Sequence, residues 1–181
     1  MGQARDGAMR GAIGVSLSLC GAILLATLSA VGADGSDVRP VHRIQAGHAT
    51  VNGNLLGPVR RQLSLAFRLA QESIQSNPAC SALFGSFGTD GRELLAAVEF
   101  NGALFEKVGD TCGRNGVAAF TEVKSKRIRL CPGFAVLSVP AAALILIHEV
   151  LHSAGLSEKP LDPNGLTPQE INRLVAVSCF H

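Results

Sequence analysis

His148, Glu149 and His152 spell HExxH at the end of an apolar run, 141–147. On an α-helix, residues four apart stand one above the other on a single face, so both imidazoles can reach one metal ion. Glu149 projects toward the same side, close enough to take a proton from a metal-bound water. Two histidines and a glutamate in an otherwise apolar helix are costly to bury without partners, which weighs against a purely structural role. His148 and His152 are therefore the candidate metal ligands, and Glu149 the candidate catalytic base.

A catalytic zinc takes three protein ligands and leaves a fourth position for water. Three residues compete for the third place. Glu158 is preferred, because it lies three residues beyond Gly155, where a chain reversal would return it toward the histidines. Glu170 lies 18 residues past His152 on a later helix, but a Thr167-Pro168-Gln169-Glu170 capping box would also account for it. His181 ends the chain, and chain ends fray.

The elements that must position these residues are legible around them. Ser138 can cap a helix with Pro140 in its first turn, and Gly155 can end it in the left-handed conformation. Upstream, Val59, Leu63, Phe67, Ala70 and Ile74 recur at helical spacing between Pro58 and Asn77-Pro78, which predicts an amphipathic helix. Thr89-Asp90-Gly91 can start a short helix over 93–98, with a strand somewhere in 98–108. Residues 117–123 and 127–131 read as a hairpin joined at Lys124-Ser125-Lys126, with Ile128 and Leu130 on its buried face. The capping box opens a final helix whose Ile171, Leu174 and Val175 can pack on the core.

The pattern HExxHxxGLxE over 148–158 resembles the HExxHxxGxxH signature of metzincins, with Glu158 in place of their third histidine. Glu170 instead matches the gluzincin arrangement, in which a glutamate comes from a later helix. The only methionines are Met1 and Met9, so a mature chain lacks the Met-turn of metzincins, and it has no Tyr. Residues 146–156 are similar to those of small exported bacterial proteins of the HExxH zinc metallopeptidase class. The resemblance implies an α+β fold: a small zincin-like domain with the HExxH active-site helix beside a short antiparallel sheet. It also implies a Zn2+ cofactor and a peptide or protein substrate, held on a sheet edge beside the helix. Arg129 is the candidate oxyanion stabiliser.

The N-terminal segment and the cysteines predict an exported protein, outside the reducing cytoplasm. Arg5 and Arg10 precede 23 uncharged residues, 11–33, which end in small residues at cleavage spacing. Residues 1–32 are read as a signal peptide, with a retained membrane anchor as the alternative, because 23 uncharged residues can also span a bilayer. Cys20 has the wrong preceding residue, Leu19, for a lipoprotein signal. Residues 33–54 are read as a linker or edge strand, and 55–181 as the zincin-like metallopeptidase domain that the resemblance implies. The cysteines beyond the leader, Cys80, Cys112, Cys131 and Cys179, show no CxxC pair and read as two disulfides of an exported domain, periplasmic or secreted. Among three connectivities, Cys112–Cys131 with Cys80–Cys179 is favoured, since the hairpin draws the inner pair together and the final helix can be tied to the end of the first.

Charge is nearly balanced, 16 Lys and Arg against 14 Asp and Glu, and no Tyr or Trp is present to stack bases. Nothing here suggests nucleic-acid binding. A membrane is a partner only if the N-terminal segment is retained. Two functions follow: an exported zinc-dependent hydrolase with Glu149 as general base, or a non-catalytic envelope protein whose structural metal site binds a partner. A site closed by four protein ligands would favour the second, and an open coordination position the first.

Overall fold

A computed structural model of the protein describes residues 42–43, 49–103, 111–112 and 116–181. The expected signal peptide, Cys20 and the 104–108 part of the expected strand lie outside the described residues. Pro58 at the start and the i, i+3, i+4 spacing produce α1 (Gly57–Ser76), which buries Val59, Leu63, Ala66, Phe67, Ala70 and Ile74 along one stripe. Each large side chain removed from water there contributes about 1.5–3 kcal/mol, against the entropy of ordering it. Asn77 ends this helix, and its side chain caps the next, α2 (Pro78–Gly85). Asp90 then caps α3 (Gly91–Ala97), accepting from the N–H groups of Arg92 and Glu93.

Five short strands form one sheet: β1 (His42–Arg43), β2 (Thr50–Val51), β3 (Glu99–Gly102), β4 (Ala119–Thr121) and β5 (Arg127–Leu130), in the order β1-β2-β3-β5-β4. The sheet is mixed, which corrects the expected antiparallel one. β2 with β3 and β3 with β5 run parallel, and only the outer pairs, β1 with β2 and β4 with β5, are antiparallel. The cause is connectivity. Three helices lie between β2 and β3 and carry the chain back to the same end, as a parallel pair requires. The β4–β5 hairpin then enters with its second strand against β3, which leaves β4 outermost. The stretch 33–54, read as linker or edge strand, holds β1 at one edge and β2 inside the sheet.

Val51, Phe100, Ile128 and Leu130 turn to the buried face, while Glu99, Asn101, Arg127 and Arg129 alternate to the other. The Phe67 ring of α1 meets Phe100 of β3 edge to face, with centroids 6.0 Å apart, so α1 lies on the apolar face of the sheet. Beside α1, and against β4, packs α4 (Val139–Ala154), whose Ala142, Ala143, Leu146, Ile147, Val150 and Leu151 are fully buried. The last helix, α5 (Pro168–Cys179), packs against α4 and α2 through Ile171, Val175 and Cys179. No helix among the described residues is long and apolar enough to cross a membrane.

Two disulfides, Cys80–Cys179 and Cys112–Cys131, have the expected pairing. The first ties α5 to α2 across 99 residues of chain, and the second closes a loop of 19 that contains β4 and β5. Loop-closure entropy grows with the logarithm of that span, which gives about 4.7 kcal/mol for the long loop and about 3 kcal/mol for the short one. Replacing Cys80 and Cys179 together by Ala should therefore cost more stability than replacing Cys112 and Cys131. Urea unfolding of the two double variants checks the order, and four free thiols in material produced in an oxidising compartment would remove its basis.

Candidate metal centre

Helix α4 ends where its chemistry begins. Ser138 Oγ accepts from the Ala141 N–H at its start. At its end Gly155 takes φ 115°, a conformation that side chains rarely adopt, and its N–H donates to Leu151 and His152 carbonyls. The Leu156 N–H reaches back to Leu151 O at 3.0 Å, which completes a Schellman cap and turns the chain around. The returning segment, 157–166, is closed on itself: Leu166 N–H donates to Ser157 O, and Lys159 N–H to Leu166 O. Gly165 approaches so closely that a Cβ there would lie 2.7 Å from Ser157 O. Glu158 pairs with Leu166 in an isolated bridge, and the closed loop fixes its backbone beside the histidines.

Three acceptor atoms converge at this point. Glu158 Oε2 lies 3.1 Å from His148 Nε2 and 3.0 Å from His152 Nε2, and the two Nε2 atoms are 3.0 Å apart. Ligands about 2.0–2.1 Å from a tetrahedral zinc stand roughly 3.3 Å from one another, so the spacing suits such an ion with a small expansion. The opposite ring nitrogens are committed elsewhere. His152 Nδ1–H donates to Leu156 O at 2.8 Å, and His148 Nδ1–H to Asn172 Oδ1 at 2.8 Å. Both Nε2 atoms therefore turn lone pairs toward Glu158. Burial lowers the His148 pKa, with the neighbouring His152 adding to the effect and the Asn172 and Glu158 contacts opposing it. With its one proton on Nδ1, a neutral His148 brings none to the gap. His148, His152 and Glu158 are a group that could hold a metal ion.

Glu149 stands next to this group without joining it. It is 5% exposed, and its Oε2 has no hydrogen-bond partner. Its pKa is pushed up to about 8, chiefly by burial, with the charge of Glu158 adding to the rise and the Thr121 hydroxyl pulling the other way. Thr121 Oγ1 is itself buried without a partner, so it approaches the carboxyl without completing a hydrogen bond of good geometry. Thr121 belongs to β4, the outermost strand, and the Lys124 N–H in the following turn donates to His152 O at 2.8 Å. The hairpin is thus fastened to the end of α4 that carries His148 and His152.

The other sequence candidates lie outside this group. Glu170 Oε2 accepts from the Thr167 N–H and hydroxyl at 2.7 and 2.8 Å, which completes a capping box and holds the carboxyl below its ordinary pKa. The His181 carbonyl accepts from Asn77 Nδ2. Arg129 lies on the opposite face of the sheet from Ile128 and Leu130, over the Phe120 ring and 3.9 Å from Glu122, which removes it from the metal group. Asn172 and Thr121 were not singled out from sequence. The signal that could have found Asn172 is its spacing, three and seven residues before Val175 and Cys179 on the helix. Comparison with protein families, curated proteins and solved structures gives no match for the chain.

Two measurements follow. Glu158→Gln should weaken zinc binding, while Glu170→Gln should leave it unchanged and lower thermal stability slightly; chelator competition and thermal melts separate the two. The second concerns pH. A carboxyl raised from 4.5 to about 8 keeps its proton in the folded chain after the unfolded chain has released it. The contribution of Glu149 to the stability of the metal-free protein is then fully present at low pH and is lost as pH rises through that window. Glu149→Gln, with no proton to lose, should be more stable than wild type by a margin that widens from about pH 5 to about pH 9. Urea unfolding of both metal-free proteins measures the margin, and a margin independent of pH would contradict the burial of the charge.

Proposed function

We propose that this protein is an exported zinc-dependent hydrolase, a metallopeptidase of zincin-like design, with His148, His152 and Glu158 as ligands and Glu149 as general base. The observation that carries the reading is the convergence of two imidazole Nε2 atoms and one carboxylate oxygen within 3.1 Å, with a separate buried carboxyl beside them. Among the described residues the group offers three protein ligands, which supports an open catalytic site over a closed structural one. The two disulfides fit an oxidising compartment and support export.

Bound zinc would supply Lewis acidity, polarising a carbonyl and making a water easier to deprotonate. Glu149 accepts the proton of the attacking water and returns it to the leaving amine. Its raised pKa suits that exchange, since a base with a pKa near the working pH can both take and give a proton. No strand pairs with the outer side of β4 among the described residues. An extended peptide can add there as one more strand, with its scissile bond carried toward Thr121 and Glu149. That edge supports a peptide or protein as substrate.

Purified protein should contain one zinc per chain, and a His148→Ala, His152→Ala double variant should not. Against a substrate drawn from a peptide library, Glu149→Gln should keep its zinc and its fold yet lose at least about 100-fold in turnover. Undiminished cleavage by that variant would refute the assignment of the base.

A further inference from the structure

We propose that Asn172 of α5 is the positioning residue that sets His148 for metal binding, by holding its ring in the tautomer whose Nε2 carries a lone pair. The inference rests on the reading of His148, His152 and Glu158 as a metal centre. A neutral imidazole has two tautomers, and only one can ligate through Nε2. Glu158 favours the wrong one in the metal-free protein, because its Oε2, 3.1 Å from His148 Nε2, would gladly accept a proton placed there. The Asn172 amide oxygen, 2.8 Å from Nδ1, is the counterweight: it accepts the Nδ1–H and leaves Nε2 bare.

The two ligand histidines are served differently. His152 donates its Nδ1–H to Leu156 O, a backbone acceptor built into the cap of its own helix. His148 depends on a side chain 24 residues away, delivered by another element. That element is firmly seated. Ile171 and Val175 are fully buried, and Cys179, two turns beyond Asn172 and near the same face, is bonded to Cys80. The acceptor is also an amide rather than a carboxylate. It fixes the tautomer without adding negative charge beside Glu158, so the charge of a bound cation is left less compensated.

Zinc affinities of the full-length chain, measured by competition with a chromogenic chelator, test the inference with two variants. Asn172→Leu keeps the approximate volume and removes the acceptor; Asn172→Asp keeps an acceptor. The Leu variant should bind zinc about 10–100-fold more weakly, the usual range for losing such a partner, while the Asp variant stays within a few-fold of wild type. Long-range proton–nitrogen NMR of the metal-free chains should find His148 protonated on Nδ1 in wild type and on Nε2 in the Leu variant, a change that a loss of packing alone would not produce. Equal affinities for Asn172→Leu and wild type, or equal losses in Leu and Asp variants, would overturn the proposal and leave the metal centre standing. A wild-type chain that binds no zinc would overturn the metal reading and this inference with it.

Discussion

Acceptor atoms without protons between them repel, and the end of α4 gathers three of them in a space that admits little water. His148 and His152 are each 5% exposed, and their Nε2 atoms sit 3.0 Å apart with Glu158 Oε2 at nearly the same distance from both. Such a cluster is stable only if something positive occupies its centre or if the surrounding structure holds it together. The protein supplies the second condition in several ways. The Schellman cap reverses the chain, the closed 157–166 loop pins the Glu158 backbone, and Leu156 O and Asn172 Oδ1 occupy the far nitrogens. Each of these devices aims a lone pair, and none neutralises one.

That arrangement separates two carboxyl groups by role. Glu158, which is partly exposed, faces the imidazoles. Glu149, adjacent to His148 on α4, is buried with an orphaned oxygen and a pKa raised to about 8. Leaving a buried carboxyl unpaired is a cost that a core residue would not normally carry. In the proposed hydrolase the cost is functional, because a carboxyl that is poorly solvated and close to neutral pH is a responsive base. The fold concentrates this strain where the edge strand β4 meets the helix, and the Lys124–His152 bond keeps the two together.

Much of this was legible in the linear chain. Regular spacing and local capping chemistry identified α1, α4 and α5 within a residue or two, and the β4–β5 hairpin through its alternation. Gly155 was readable as a left-handed cap because few other residues tolerate that backbone, and Thr167 with Glu170 as a capping box because both partners lie within one turn. Cysteine number and the order of elements favoured the observed disulfide pairing. These features share a cause: each depends on contacts among residues close in sequence, or on a periodicity that one element must obey to bury its apolar side.

Sheet direction, by contrast, depended on where three intervening helices returned the chain, and no strand records that in its own residues. α2 went unseen because eight residues with an apolar surround carry little periodicity. HExxH by itself determined that two imidazoles would share one face of a helix with a carboxyl beside them. Only the tertiary structure decided that Glu158 joins them, that Glu170 and His181 do not, that Arg129 faces the other way, and that Asn172 and Thr121 complete the surroundings. Helical spacing is a property of one backbone, whereas the Glu158 carboxylate and the Asn172 acceptor reach the histidines from beyond that helix, through chain reversal and packing that the whole chain settles at once.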